Sequence, residues 1–138
     1  MASPVVYLSR KLTFSAGHRL HTDKLTDEEN KTFFRACNRS HGHNYTVQVT
    51  LRGPIDQRTG MLINVLDLKA YMQQCIMDPL DHKHLDQDVP YFKEKVSTVE
   101  NILLFIWDGM KNVLPNPKLL FEVKISETDD SMAYYRGE

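Results

Sequence analysis

Tyr45, Val47, Val49 and Leu51 alternate with Asn44, Thr46, Gln48, Thr50 and Arg52, and a period of two sustained over this length predicts a strand with one dry face and one wet face. Such a strand needs an apolar layer on one side only. That favours an antiparallel sheet covered by helices over a sheet buried on both faces. Gly53-Pro54 ends the run. Between Val5 and Phe14 a second alternation puts Val6, Leu8, Leu12 and Phe14 on one face, interrupted by Arg10, and predicts another half-buried strand.

Two helical stretches follow. Asn64 is placed to cap a helix in which Leu68, Met72, Cys75 and Ile76 recur at helical spacing until Pro79. Ser97 and Glu100 have the spacing of a capping box, and Val99, Leu103, Ile106, Met110 and Val113 then form one stripe until Pro115. Leu119, Phe121, Val123 and Ile125 alternate as a third strand, and a turn at Asp129 and Asp130 leads to a short fourth from Met132 to Arg136. The order strand, strand, helix, helix, strand, strand predicts an α+β sandwich: one four-stranded antiparallel sheet with both helices on one face. At 138 residues, with no repeat and no linker, residues 1–138 read as a single domain.

Composition narrows the partners. A formal net charge of -1 leaves no basic surface for phosphate neutralisation, so nucleic acid is not expected. The longest apolar run, Ile102 to Trp107, is far short of the roughly 20 residues that span a bilayer, so no membrane segment is expected. Cys37 and Cys75 stand in unlike contexts and no secretory signal precedes Val5, which predicts reduced thiols in a cytoplasmic protein.

His41 and His43 share the parity of Tyr45 and Val47, and His18 continues the parity of Phe14 and Ala16. If both strands extend to them and pair as neighbours, three imidazoles converge as a zinc site of three nitrogens. A second His-x-His, His82 and His84, competes for that role, and spacing does not choose between them. Cys37, four residues before His41, is either a fourth ligand of a closed site or a thiol beside an open metal. Asp81 directly before His82 could fix the imidazole tautomer and make a proton relay, or serve only as a cap. Glu127 sits on the apolar parity of Phe121, Val123 and Ile125, where a carboxylate needs a partner. A donor-rich heterocycle would supply one. Thr98 and Glu100 have helix-start roles and are weaker candidates for the same pocket. Cys75 falls on an apolar stripe and His21 in a polar loop.

These residues lie in a series of blocks: Phe14-Ser15-Ala16-Gly17-His18-Arg19-Leu20, Cys37, His41-Gly42-His43-Asn44-Tyr45, Pro79-Leu80-Asp81-His82-Lys83, Ser97-Thr98-Val99-Glu100-Asn101 and Glu127-Thr128. The set resembles the 6-pyruvoyltetrahydropterin synthase family over nearly the whole chain. The resemblance implies the tunnelling fold, with sheets joined around an axis and trimers stacked into a homohexamer, an arrangement that also pairs exposed sheet edges. It implies that His18, His41 and His43 hold zinc (Zn2+), that Cys37 is the general base, and that Asp81 and His82 form a relay contributed by a neighbouring subunit. Glu127 would anchor the pterin, with Thr98 and Glu100 lining the pocket. Magnesium (Mg2+) would accompany the substrate triphosphate.

The reaction so implied converts 7,8-dihydroneopterin triphosphate to 6-pyruvoyltetrahydropterin. Triphosphate leaves, and the side-chain hydroxyls are oxidised as the ring is reduced, with no external redox cofactor. Only three residues separate Cys37 from His41, a spacing that resembles the 6-carboxytetrahydropterin synthases. The Leu25-to-Phe34 insert resembles the animal pyruvoyl enzymes and favours the pyruvoyl product. A non-catalytic zinc- or pterin-binding module is the third reading, and it has no need of Cys37 with Asp81 and His82.

Overall fold

The computed structural model describes residues 4–138. Strand β1 (Val5–His18) runs through the expected strand and on to His18, and its burial alternates to the end, with Phe14, Ala16 and His18 all buried. Antiparallel to it lies β2 (His41–Pro54), in register from Val5 opposite Pro54 to His18 opposite His41. Because the register is unbroken, side-chain parity is preserved across the pair and the apolar faces of both strands coincide.

Between them the chain forms α1 (Asp27–Phe34), a helix not expected from the sequence. Its signal is a complete capping box: Thr26 Oγ1 accepts from the Glu29 N–H and the Glu29 carboxylate accepts from the Thr26 N–H. Buried Asn30 ties this excursion to the preceding loop through Thr22 and Leu25 carbonyls.

Asn64 caps α2 (Val65–Met72) as expected, its Oδ1 accepting from the Leu66 N–H at 2.9 Å. Pro79 does not close this helix. A π turn at Gln73–Met77 opens first, with the Asp78 N–H reaching back to the Gln73 carbonyl, and the single turn α3 (Asp78–Leu80) carries the proline. The wider turn accommodates a ring that has no N–H to give and would crowd a regular helix. Two residues later β3 (Lys83–His84) lies parallel to β1, anchored by the His82 N–H donating to the Ser15 carbonyl at 2.6 Å.

After the single turn α4 (Leu85–Asp88), helix α5 (Val99–Val113) buries Ile102, Leu103, Ile106, Trp107 and Met110. Its cap is Thr98, whose Oγ1 accepts from the Asn101 N–H, and not Ser97. Ser97 is wholly buried and gives its hydroxyl to Asp86 at 2.7 Å, so the expected box of Ser97 with Glu100 does not form. Helix α5 packs against β4 (Leu120–Ser126), against β5 (Met132–Tyr135) and against α2.

The sheet order is β3-β1-β2-β4-β5. The expected four-stranded antiparallel sheet is thus corrected to a five-stranded mixed one. The added strand has only two residues, too few to carry a periodic signal, and its pairing is parallel. A register shift at Thr50 and Leu51 also corrects the parity of β4. Leu120 enters the core, whereas Phe121 turns to the opposite face and meets Tyr7 edge-on. Among the described residues no helix is long and apolar enough to cross a membrane.

Candidate metal centre and active site

The β1–β2 register does most of the assembly. His18 faces His41 across the ladder, and His43 is opposite Ala16, one inward position along. The ring centroids lie 4.5 Å apart for His18 and His41, 5.3 Å for His18 and His43, and 5.0 Å for His41 and His43. One nitrogen from each ring lies within 4.8 Å of the other two. His82 and His84 belong to no such group among the described residues.

Two of the rings have their tautomer fixed. The His18 Nδ1–H donates to the Ser97 carbonyl and the His41 Nδ1–H to the Arg39 carbonyl, each at 2.7 Å. Both Nε2 atoms are thereby left as the coordinating nitrogens, the arrangement usual for imidazole ligands, whose second nitrogen is held by a carbonyl or carboxylate. Three imidazole nitrogens that converge in this way make a donor set that fits zinc.

Burial above all holds the His18 ring below the ordinary histidine value of 6.5, and nearby His41 adds to this, while the Ser97 bond opposes it. A group depressed in the folded state contributes stability that is complete above its unfolded value and is lost as the pH falls through its folded one. Metal-free protein is therefore expected to lose thermal stability progressively below about pH 6.5. His18→Gln should flatten the dependence in that window. An unchanged slope in melts from pH 7.5 downward would count against a buried neutral His18.

Beside the triad, Glu127 Oε1 lies 3.3 Å from His43 Nε2 and 3.6 Å from His18 Nε2. It follows the end of β4 on the parity of Val123 and Ile125, as the sequence predicts, and its side chain is about three-quarters buried. The Tyr45 hydroxyl stands 3.4 Å from His18 Nε2. Burial, with Glu127 and Asp86 adding to it, raises its phenol far above the ordinary range, so it stays protonated.

Cys37 is a free, exposed thiol in the single turn Arg35–Asn38 and is not part of the metal-capable group. Asp81 Oδ1 accepts from the Ser15 N–H at 2.9 Å, and Oδ2 accepts from His82 Nδ1 at 2.8 Å. The Ser15 bond first, and then His82 against a desolvation cost, hold the Asp81 carboxyl below its ordinary value. His82 has a left-handed backbone, φ 60°, and an 83% exposed side chain. Thr98 spends its hydroxyl on the α5 cap and Glu100 is exposed on the first turn of that helix. Cys75 is buried in the core, and His21 lies 3.6 Å from Asp23. Ser97 and Asp86, which support His18, left no mark in the sequence: the critical acceptor is a backbone carbonyl, which every residue has.

The family model described as 6-pyruvoyl tetrahydropterin synthase matches residues 7–138. The chain is 53% identical over 133 residues to the 6-pyruvoyl tetrahydrobiopterin synthase of Homo sapiens, covering 95% of this chain and 91% of that protein. It is 52% identical over 136 residues to the protein of that name from Drosophila melanogaster, covering 97% and 81%. The solved 6-pyruvoyl tetrahydropterin synthase of Caenorhabditis elegans superposes with a TM-score of 0.96 at 42% identity, over 100% of this chain and 99% of that one.

Proposed function

The chain belongs to the 6-pyruvoyl tetrahydropterin synthase family and is a lyase of tetrahydrobiopterin biosynthesis; on that premise we propose that His18, His41 and His43 hold its catalytic zinc. The substrate is 7,8-dihydroneopterin triphosphate and the product 6-pyruvoyltetrahydropterin. The observation that carries the metal reading is the convergence of three imidazoles, two of them with Nδ1–H already committed to backbone carbonyls. Bound there, zinc supplies Lewis acidity to the side-chain oxygens of the substrate and acidifies the neighbouring protons.

The chain's own residues do the rest. Glu127 accepts the paired N–H donors of the pterin edge and fixes the ring beside the triad. Cys37 removes a side-chain proton, and His82, steadied by Asp81, delivers another. Thr98 and Glu100 line the pocket, and magnesium accompanies the triphosphate. Relatives that share about half their residues with this chain bear the pyruvoyl name, and the product follows them despite the short Cys37-to-His41 connection. Incubation with dihydroneopterin triphosphate and magnesium tests the reading. Released triphosphate with the pyruvoyl product supports it; acetaldehyde with a carboxypterin, or no turnover, counts against it.

Relay chemistry needs shelter from bulk water, yet His82 is 83% exposed in the single chain. A neighbouring copy in a homohexamer would cover it, with β3 and β5, the outer strands of the sheet, as the edges available for pairing. Mixing inactive Cys37→Ala with inactive His82→Ala protein under conditions that exchange subunits is then expected to restore activity. At equal input about a quarter of the sites would combine both native residues. A mixture as inactive as its components would show that one chain supplies both.

A further inference from the structure

Asp86 has no role in the chemistry above, yet its carboxylate closes a ring of hydrogen bonds around His18. Oδ2 accepts from the backbone N–H of Arg19, the residue after His18, at 2.7 Å. Oδ1 accepts from the Ser97 hydroxyl at 2.7 Å, and the Ser97 carbonyl accepts from His18 Nδ1–H at 2.7 Å. We infer that Asp86 is a positioning residue for the metal centre, gripping His18 at once through its backbone and through its ring.

The surroundings favour this role over a general structural one. His18 and Ser97 are both wholly buried, so neither has water as an alternative partner, and the direction of each bond is set by what the other can offer. An ionised carboxylate only accepts, which orients both donors unambiguously, and bonds of this kind are among the strong ones. Of the titratable groups facing it, Tyr45 is held protonated by burial first, with Glu127 and Asp86 adding to it, and His84 has its Nδ1 4.0 Å away, beyond hydrogen-bond reach. The carboxylate is itself held on the short turn α4, where buried Leu85 precedes it and Lys93 Nζ donates to the Asp86 carbonyl. Removing the carboxylate would free the Ser97 hydroxyl and the Arg19 N–H together.

This inference rests on the metal reading proposed above, and its test separates the two. Zinc affinity is measured by competition with a chromophoric chelator, and the His18 tautomer in metal-free protein is read from its ring nitrogen shifts. Asp86→Ala is expected to weaken zinc binding by about 10- to 100-fold, the usual loss when a support of a metal ligand is removed, and to turn a pure Nδ1–H tautomer into a mixture. Asp86→Asn, which keeps one acceptor oxygen in the same shape, should fall between and carries the test if the alanine variant does not fold. Ser97→Ala added to Asp86→Ala should cost little more, because the two act in series. Zinc affinity within about twofold of wild type with the Nδ1–H tautomer intact would overturn the inference, whatever happens to the melting temperature. If the wild type itself took up no zinc, the metal reading would fall, while the tautomer measurement would still decide the role of Asp86.

Discussion

Replacing His43 by alanine is expected to strip the protein of stoichiometric metal and to lower kcat/KM by about three orders of magnitude, the scale of several kcal/mol of charge stabilisation withdrawn from a transition state. His43 is the cleanest of the three ligands to remove. Its side chain is 21% exposed, so truncation opens no sealed cavity, whereas His18 is wholly buried. The metal-free fold should be retained at a cost of about 1 kcal/mol, the usual size for a point substitution. Elemental analysis beside steady-state rates checks both halves. A variant that kept one metal per chain would remove the triad from consideration as the metal site.

Cys37→Ala should give the complementary result: metal retained, turnover reduced by about 10²- to 10⁴-fold, the range over which a positioned general base acts. The structure separates this residue from the ligands while binding its turn to them. The Leu20 N–H donates to the Cys37 carbonyl at 2.8 Å, Asn38 Nδ2 to the Leu20 carbonyl at 2.9 Å, and Arg19 Nε to the Asn38 carbonyl at 2.6 Å. The thiol thus rides on a turn laced to the two residues that follow His18. Loss of metal from Cys37→Ala would instead make it a fourth ligand. Metal analysis on the same sample as the assay decides.

The histidine cluster was legible in the sequence because period-two parity is conserved along a strand and across its partner. Once β1 and β2 extend to His18 and His41, one histidine of the first strand and two of the second share one face. Glu127 was legible for the same reason. The parity at the start of β4 was not, because the shift beside Thr50 moves Leu120 inward and Phe121 outward, and such bulges arise from pairing. Helix α1 opens on a complete box of Thr26 and Glu29, but its face is too polar to show an apolar period. At α5 the cap expected of Ser97 falls to Thr98, because Asp86, eleven residues earlier, claims the Ser97 hydroxyl. Pro79 misled for a related reason: a proline ends a regular helix, but the π turn before it is not a regular helix.

Strand β1 is the common mount of two pieces of machinery. Its last residue belongs to the three-imidazole cluster, and Ser15, three positions earlier, holds Asp81 through its N–H and His82 through its carbonyl. A slip of one residue against β2 would turn His18 to the wet side and carry the Ser15 anchor out of step with His41 and His43 in the same movement. Ligand and proton carrier therefore fail together or stand together, and variants that loosen this one ribbon should lose metal uptake and turnover in strict proportion.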